Sequence, residues 1–224
     1  MNYSPLLISL KAAIIATIIT FFLGIYGAHF TMKLKKFKGL VDGVFTLPLV
    51  LPPTIVGFFL LVFLGRNSAI GSFLSKYDIS LVFSSSATII ASTVVSFPLM
   101  YRTARGAFEQ FDKNILYAAR TLGLKEHTIL WKIIIPNSLS SLVAGTILAF
   151  ARALGEFGAT IMIAGNIPGK TQTMAVAVYS AVQAGNRKLA YNWVAVMVVI
   201  SFISILLINK FENVKFSNVR KGEI

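Results

Sequence analysis

Five stretches of this chain, 6–30, 43–64, 81–104, 138–165 and 189–209, each run for more than 20 residues with scarcely a charge. A helix rising about 1.5 Å per residue needs about 20 apolar residues to cross a hydrocarbon core of ~30 Å. Lipid offers the backbone no hydrogen bonds, so each stretch must satisfy its own N–H and C=O groups, as a helix does. The expected fold is therefore all-α and integral to the membrane, with five transmembrane helices. Composition agrees, with 56% hydrophobic and 13% charged residues and a mean hydropathy of +0.77, far more apolar than a soluble domain. The first stretch is too long for the core of a secretory signal, and its basic cluster follows it, so it reads as a true span. The whole of 1–224 reads as one transmembrane domain, without an internal repeat.

The basic residues set the orientation. Lys33, Lys35, Lys36 and Lys38 follow the first stretch, Arg102, Arg105, Lys113, Arg120, Lys125 and Lys132 surround the segment between the third and fourth, and Lys210, Lys215, Arg220 and Lys221 form the tail. These are 14 of the 21 Lys and Arg residues. Positive charge favours the cytoplasmic side, which puts the N-terminus outside and the C-terminus in the cytoplasm. The net charge of +13 is then a topological signal and an attraction to anionic lipid headgroups, not a sign of nucleic acid. With no Cys, and with His29 and His127 far apart in sequence, neither a thiol nucleophile nor a metal site is expected.

Two charges interrupt the fourth stretch. Arg152 and Glu156 are four apart, so on a helix they share a face and offset each other's burial. Three readings stay open: a structural ion pair at an interface, a gate element lining a pathway, or a direct contact to an oxyanion. The adjacent carboxylate counts against the third, because it cancels the attraction an anion would feel. Gly145, Ala149 and Ala153 recur every four residues, which suits close helix packing. Pro48, Pro52 and Pro53 in the second stretch and Pro98 in the third remove backbone donors and should kink or unwind their helices, either for packing or to line a pathway.

The segment 105–137 is too polar for lipid yet keeps helical periodicity. Leu116, Ala119, Arg120 and Gly123 follow i, i+3, i+4, i+7 spacing, a break falls at Gly123, and a second helix should run to Pro136. Either this bent pair protrudes to be held by a cytoplasmic partner, or it lies on the headgroups as an amphipathic hairpin. On the other side, 173–184 reads as one short amphipathic helix. The aromatics Tyr179, Tyr191 and Trp193 read as interfacial anchors.

Ala118-Ala119, three residues, Gly123, nine residues, then Ile133-x-Ile135-Pro136 resembles the EAA loop of permease subunits in bacterial ABC importers. Tyr117 stands where that family commonly has Glu, and Ile135 where it has Leu. LPLVLPPTIVGFFLLVFLGR, SFPLMYR, AFARALGEFGAT and GNIPGKTQT narrow the resemblance to the molybdate-type permeases and, more distantly, their sulfate-transport relatives.

The resemblance implies a type I importer permease fold in a prokaryotic cell membrane. It implies a homodimer with a pathway along its interface, cytoplasmic ATPase subunits that use ATP, and an extracytoplasmic solute-binding protein resting near Lys170 and Arg187. Tyr117, Ala118, Ala119, Gly123, Leu124, Ile133 and Pro136 would couple to the ATPase; Pro52, Pro53, Arg152 and Glu156 would serve the pathway or its packing. No catalytic residue, metal or cofactor is expected on this chain, and no G-x-x-x-x-G-K-[ST] run supplies a nucleotide site of its own. Molybdate is the expected solute, with tungstate or sulfate/thiosulfate as alternatives. An intramembrane enzyme lacks a paired base and nucleophile, since Glu156 is the only acid within the five stretches. A passive anion channel fits the prolines but leaves the loop unexplained.

Overall fold

The computed structural model describes residues 3–221, with the side chains of 209 and 211–221 outside that description; the tail cations Lys215, Arg220 and Lys221 fall there. In chain order the helices are α1 (Ser4–Lys33), α2 (Lys38–Val50), α3 (Pro53–Leu64), α4 (Ala69–Ser75), α5 (Ser85–Glu109) and α6 (Lys113–Thr121). Then follow α7 (Glu126–Ile129), a π-helical turn (Leu130–Ile134), α8 (Ile135–Asn137), α9 (Leu139–Leu154), α10 (Gly158–Ile163), α11 (Met174–Gln183) and α12 (Arg187–Lys221). No strand occurs among the described residues. Side-chain oxygens cap several starts: Ser84 accepts from the Ala87 N–H, Asp112 from Asn114 and Thr173 from Val176.

α5 is the hub, packed against α1, α9, α2 and α10. Its Thr88, Ser92 and Ser96 are buried. The hydroxyls of Thr88 and Ser96 return to carbonyls of their own helix, Ser96 to the Ser92 carbonyl at 2.7 Å, and Ser96 also meets Thr20 of α1 at 3.2 Å. The alanine and glycine row of α9 packs as the spacing predicts: Ala149 and Ala153 are buried, and a Cβ on Gly145 would lie 2.8 Å from Thr103 of α5. Large apolar side chains point outward instead, among them Ile18, Phe63 and Phe202, each more than half exposed. Such an apolar exterior suits lipid, not water.

The structure corrects the expected spans in four respects. The second stretch is not one helix: α2 and α3 meet at 112° at Leu51 and Pro52, where Pro52 and Pro53 cannot donate to a continuing helix. The fourth stretch likewise stops at Leu154 and resumes at Gly158 as α10. α5, in contrast, runs through Pro98 unbroken and continues past 104 to Glu109. Trp193 is 2% exposed, packed against Ala13, Ala153 and Met174 in the core, so it is no interfacial anchor; Tyr179 and Tyr191 remain exposed.

Among the described residues, α1 and Arg187–Ile208 are each long and apolar enough to cross a membrane, and counting each bent helix pair as one span raises the number to four. α5 has the length, 25 residues, but its buried Ser and Thr row lowers its hydropathy.

Candidate coupling loop and pathway elements

The segment between α5 and α9 folds as the bent pair its spacing predicts. α6 ends in a Schellman motif: Gly123 N–H donates to the Arg120 carbonyl at 2.9 Å and Leu124 N–H to the Ala119 carbonyl at 3.2 Å. Gly123 has φ +73°, the left-handed conformation that favours glycine, and a Cβ there would meet nothing within 4 Å. The glycine is thus required by backbone conformation, not by crowding. The second arm, Glu126–Asn137, contains the π-helical turn just before Pro136, and then turns by 82° into α9 at Ser138.

The loop has an inward and an outward face. Ala119 is buried, and Leu116 and Ile133 pack on the core of Phe108, Ile129 and Leu130. Tyr117 is 58% exposed, Leu122 79% and Leu124 39%, with Ala118, Gly123 and Pro136 also exposed. Sequence reasoning missed Leu122, the most exposed of these apolar residues; its place beside the Gly123 break was the available signal.

Ion pairs lie within the loop and at its base. Glu126 accepts from Arg120 Nε at 2.8 Å and lies 4.0 Å from Lys33 Nζ at the end of α1. The hydrogen bonds from Arg120 hold the Glu126 carboxyl below its ordinary range, with desolvation opposing more weakly. At the end of α5, Glu109 accepts from Lys38 and Arg105, both at 3.0 Å, while Arg105 also pairs with Asp42. Desolvation pushes the Glu109 carboxyl up, but these two cations together outweigh it and leave it below the ordinary value.

Deeper in the molecule, the two candidate groups named separately from sequence come together. Arg152 Nη1 donates to Glu156 Oε2 at 2.7 Å, as the four-residue spacing suggested. They do not share a helix face, however, because α9 ends between them at Gly155. Glu156 instead bridges the break, its other oxygen accepting the Ala159 N–H of α10 at 2.7 Å. Ser92 of α5 reaches the Ala153 carbonyl at 3.4 Å.

α10 in turn lies against α3. A Cβ on Gly158 would sit 2.9 Å from Pro53 Cβ, and one on Gly57 would sit 2.7 Å from the Ala159 backbone. The break at Pro52 and Pro53 and the break at Gly155–Phe157 therefore form one junction. Sequence reasoning missed Gly57 and Ser92; a glycine inside the most apolar helix was the available signal for the first. Among the described residues, no three His, Cys, Asp or Glu side chains gather as a metal site.

Residues 12–211 match the model of the family described as "binding-protein-dependent transport system inner membrane component". The chain belongs to this family. Among curated relatives of this permease family, a putative molybdenum transport system permease protein of Bacillus subtilis (strain 168) is 42% identical, covering 93% of this chain and 92% of its own. The molybdenum transport system permease protein of Escherichia coli (strain K12) is 39% identical over 92% and 91%. Among solved structures, a chain of an inward-facing methionine ABC transporter superposes with a TM-score of 0.67 at 15% identity, covering 92% of this chain and 94% of that one. A chain of an amino acid ABC transporter superposes with a TM-score of 0.63 at 19% identity, covering 94% and 92%. The fold is thus shared with chains of two ABC transporters, and by its family the chain is a membrane component of a transport system.

Proposed function

We propose that this chain is the permease subunit of a binding-protein-dependent ABC importer for molybdate in a prokaryotic cell membrane. Two copies form the pathway, separate cytoplasmic ATPase subunits hydrolyse ATP, and an extracytoplasmic binding protein delivers the anion. The chain crosses the membrane five times, through α1, the bent α2–α3 unit, α5, the broken α9–α10 unit and α12, with the N-terminus outside. That topology places α6 and α7 in the cytoplasm, together with most of the Lys and Arg residues.

The observation that carries the reading is the outward face of the coupling loop. Tyr117, Leu122 and Leu124 are held in an ordered, glycine-bent corner with their apolar side chains exposed. On a cytoplasmic loop such a patch needs a protein partner. The solute assignment is supported by the molybdenum-transport relatives, at 39–42% identity over nine-tenths of the chain. Movement of the loop would reach the pathway through α9, whose far end is the Arg152–Glu156 junction.

The experiment is reconstitution of the chain with its ATPase and binding protein in liposomes, measuring uptake of labelled molybdate. Uptake is expected only with ATP inside and binding protein outside, and excess tungstate or sulfate ranks the alternative anions. Uptake by the chain alone, without ATPase or ATP, would overturn the proposal in favour of a passive channel.

A further inference from the structure

Seen from outside the helix bundle, the ion pair at the α9–α10 break is not neutral. The Glu156 side chain is 1% exposed while that of Arg152 is 31% exposed. Both carboxylate oxygens are committed, one to Arg152 and one to the Ala159 N–H. A guanidinium carries five N–H donors in a planar fork, and among the described contacts only Nη1 of Arg152 is used. The open side of the junction therefore offers a cation with free donors, backed by an anion that cannot be reached.

Where that open side faces follows from cost. Arg152 lies 13 residues from the first residue of α9, Leu139, about 20 Å along the helix at 1.5 Å per residue. Half-buried itself, it lies one turn beyond the exposed Leu148 of α9 and three residues before the exposed Gly155 that ends the helix. A charge at that depth is not turned toward hydrocarbon; it lines a water-filled space or pairs. Its one described partner is behind it.

Resting on the oxyanion-importer reading above, we infer that Arg152 is a transit contact for the tetrahedral oxyanion within the membrane, and that Glu156 is a positioning residue that holds the guanidinium fork across the break. The fork matches two oxygens of such an anion, as it matches a carboxylate or phosphate. The carboxylate behind Arg152 weakens the attraction without removing the donors. Weak capture is what a conduit needs, since an anion held tightly would not leave. The bend at Pro52 and Pro53 abuts the same junction through Gly158, so movement of α3 against α10 reaches the contact directly.

The absence of Cys in the chain makes a direct test simple. Arg152→Cys combined with Glu156→Gln places a single thiol at the junction with no uncompensated carboxylate. In liposomes with ATPase and binding protein, uptake should fall about tenfold or more, the equivalent of one charge-assisted hydrogen bond. Reaction with aminoethyl methanethiosulfonate, which restores a positive charge but not the planar fork, should recover only part of it, about twofold, and the sulfonatoethyl reagent should recover none. ATP hydrolysis stimulated by the binding protein reports that the complex is intact.

The wild type is measured alongside. No wild-type uptake of molybdate overturns the importer reading, whereas wild-type uptake together with full uptake by the Arg152→Gln, Glu156→Gln pair overturns this inference alone. If neither neutral pair folds, Arg152→Lys decides, because it keeps the ion pair and loses the fork: uptake reduced about fivefold or more supports the contact, and unchanged uptake excludes it.

Discussion

Gly57 of α3 lies so close to Ala159 of α10 that a Cβ on the glycine would fall 2.7 Å from both the Cα and the carbonyl oxygen of Ala159. No side-chain rotation relieves a clash with backbone. The contact joins the two short helices that follow the two breaks, so the junction is set by absent side chains as much as by present ones. Gly57→Ala should force α3 and α10 apart and destabilise the chain by about 1–3 kcal/mol, the usual range for overpacking. A lowered thermal midpoint in detergent, measured by loss of monodisperse protein on heating, checks this. A midpoint equal to wild type would mean that the two helices are not in backbone contact.

Glu156 has two separable roles, and two substitutions divide them. Glu156→Gln keeps an oxygen for the Ala159 N–H but removes the charge beside Arg152; Glu156→Ala removes both. Breaking a fully buried pair costs about 3–5 kcal/mol, and the partial exposure of Arg152 should bring the cost below that. Thermal midpoints should therefore rank wild type above Gln and Gln above Ala. Equal midpoints for Gln and Ala would show that the α10 N–H does not depend on this carboxylate.

How far the sequence carries is visible at these residues. The Arg152–Glu156 contact was legible, because a spacing of four and the cost of a lone charge in lipid both demand it. The helix break between them was not: Gly155 and Gly158 fit a close-packed span as well as they fit a cap. Pro98 and Pro52 show the same ambiguity. Both remove a donor, yet α5 is held on several sides and continues through Pro98, whereas Pro52 is followed by a second proline and the chain turns. Trp193 read as an interfacial anchor because the pattern near a span end is shared by buried and interfacial tryptophans. Tertiary packing against Ala13 and Ala153 decided between them. The Gly123 bend was legible in full, since the capping chemistry is local.

Gly123 also allows a sharp prediction. Its φ of +73° strongly disfavours a β-branched residue, although there is room for the atoms. Gly123→Val should leave the chain inserted, since the substitution buries nothing, but should open the α6–α7 corner. Uptake in the reconstituted complex should be lost together with copurification of the ATPase. Wild-type uptake would show that the corner is not where the two subunits meet.

Leu122 separates coupling from folding more cleanly. At 79% exposure it contributes little to the isolated chain, and a substitution there should change stability by no more than about 0.5 kcal/mol. Leu122→Asp should therefore purify and melt as wild type while losing the ATPase on gel filtration. A stable complex of unchanged affinity would exclude Leu122 from the contact surface.

The Arg120–Glu126 pair predicts how acid should act on the loop. Glu126 has its folded pKa held below its ordinary value, first by the Arg120 hydrogen bonds. A depressed carboxylate pKa means that the native loop prefers the ionised form, so this stabilisation is fully present above the ordinary carboxylate value near 4.5 and is lost as pH falls through the lower folded value. Both partners are more than a third exposed, so the effect should be small and should shrink at high salt. Amide exchange in 113–129, corrected for its intrinsic pH dependence, should quicken below that pH in the wild type. In Glu126→Gln it should already be faster at pH 7 and should no longer respond to acid in this way. Identical protection of the two proteins at pH 7 would mean that the pair does not hold α6 to α7, leaving the Schellman turn at Gly123 to do so alone.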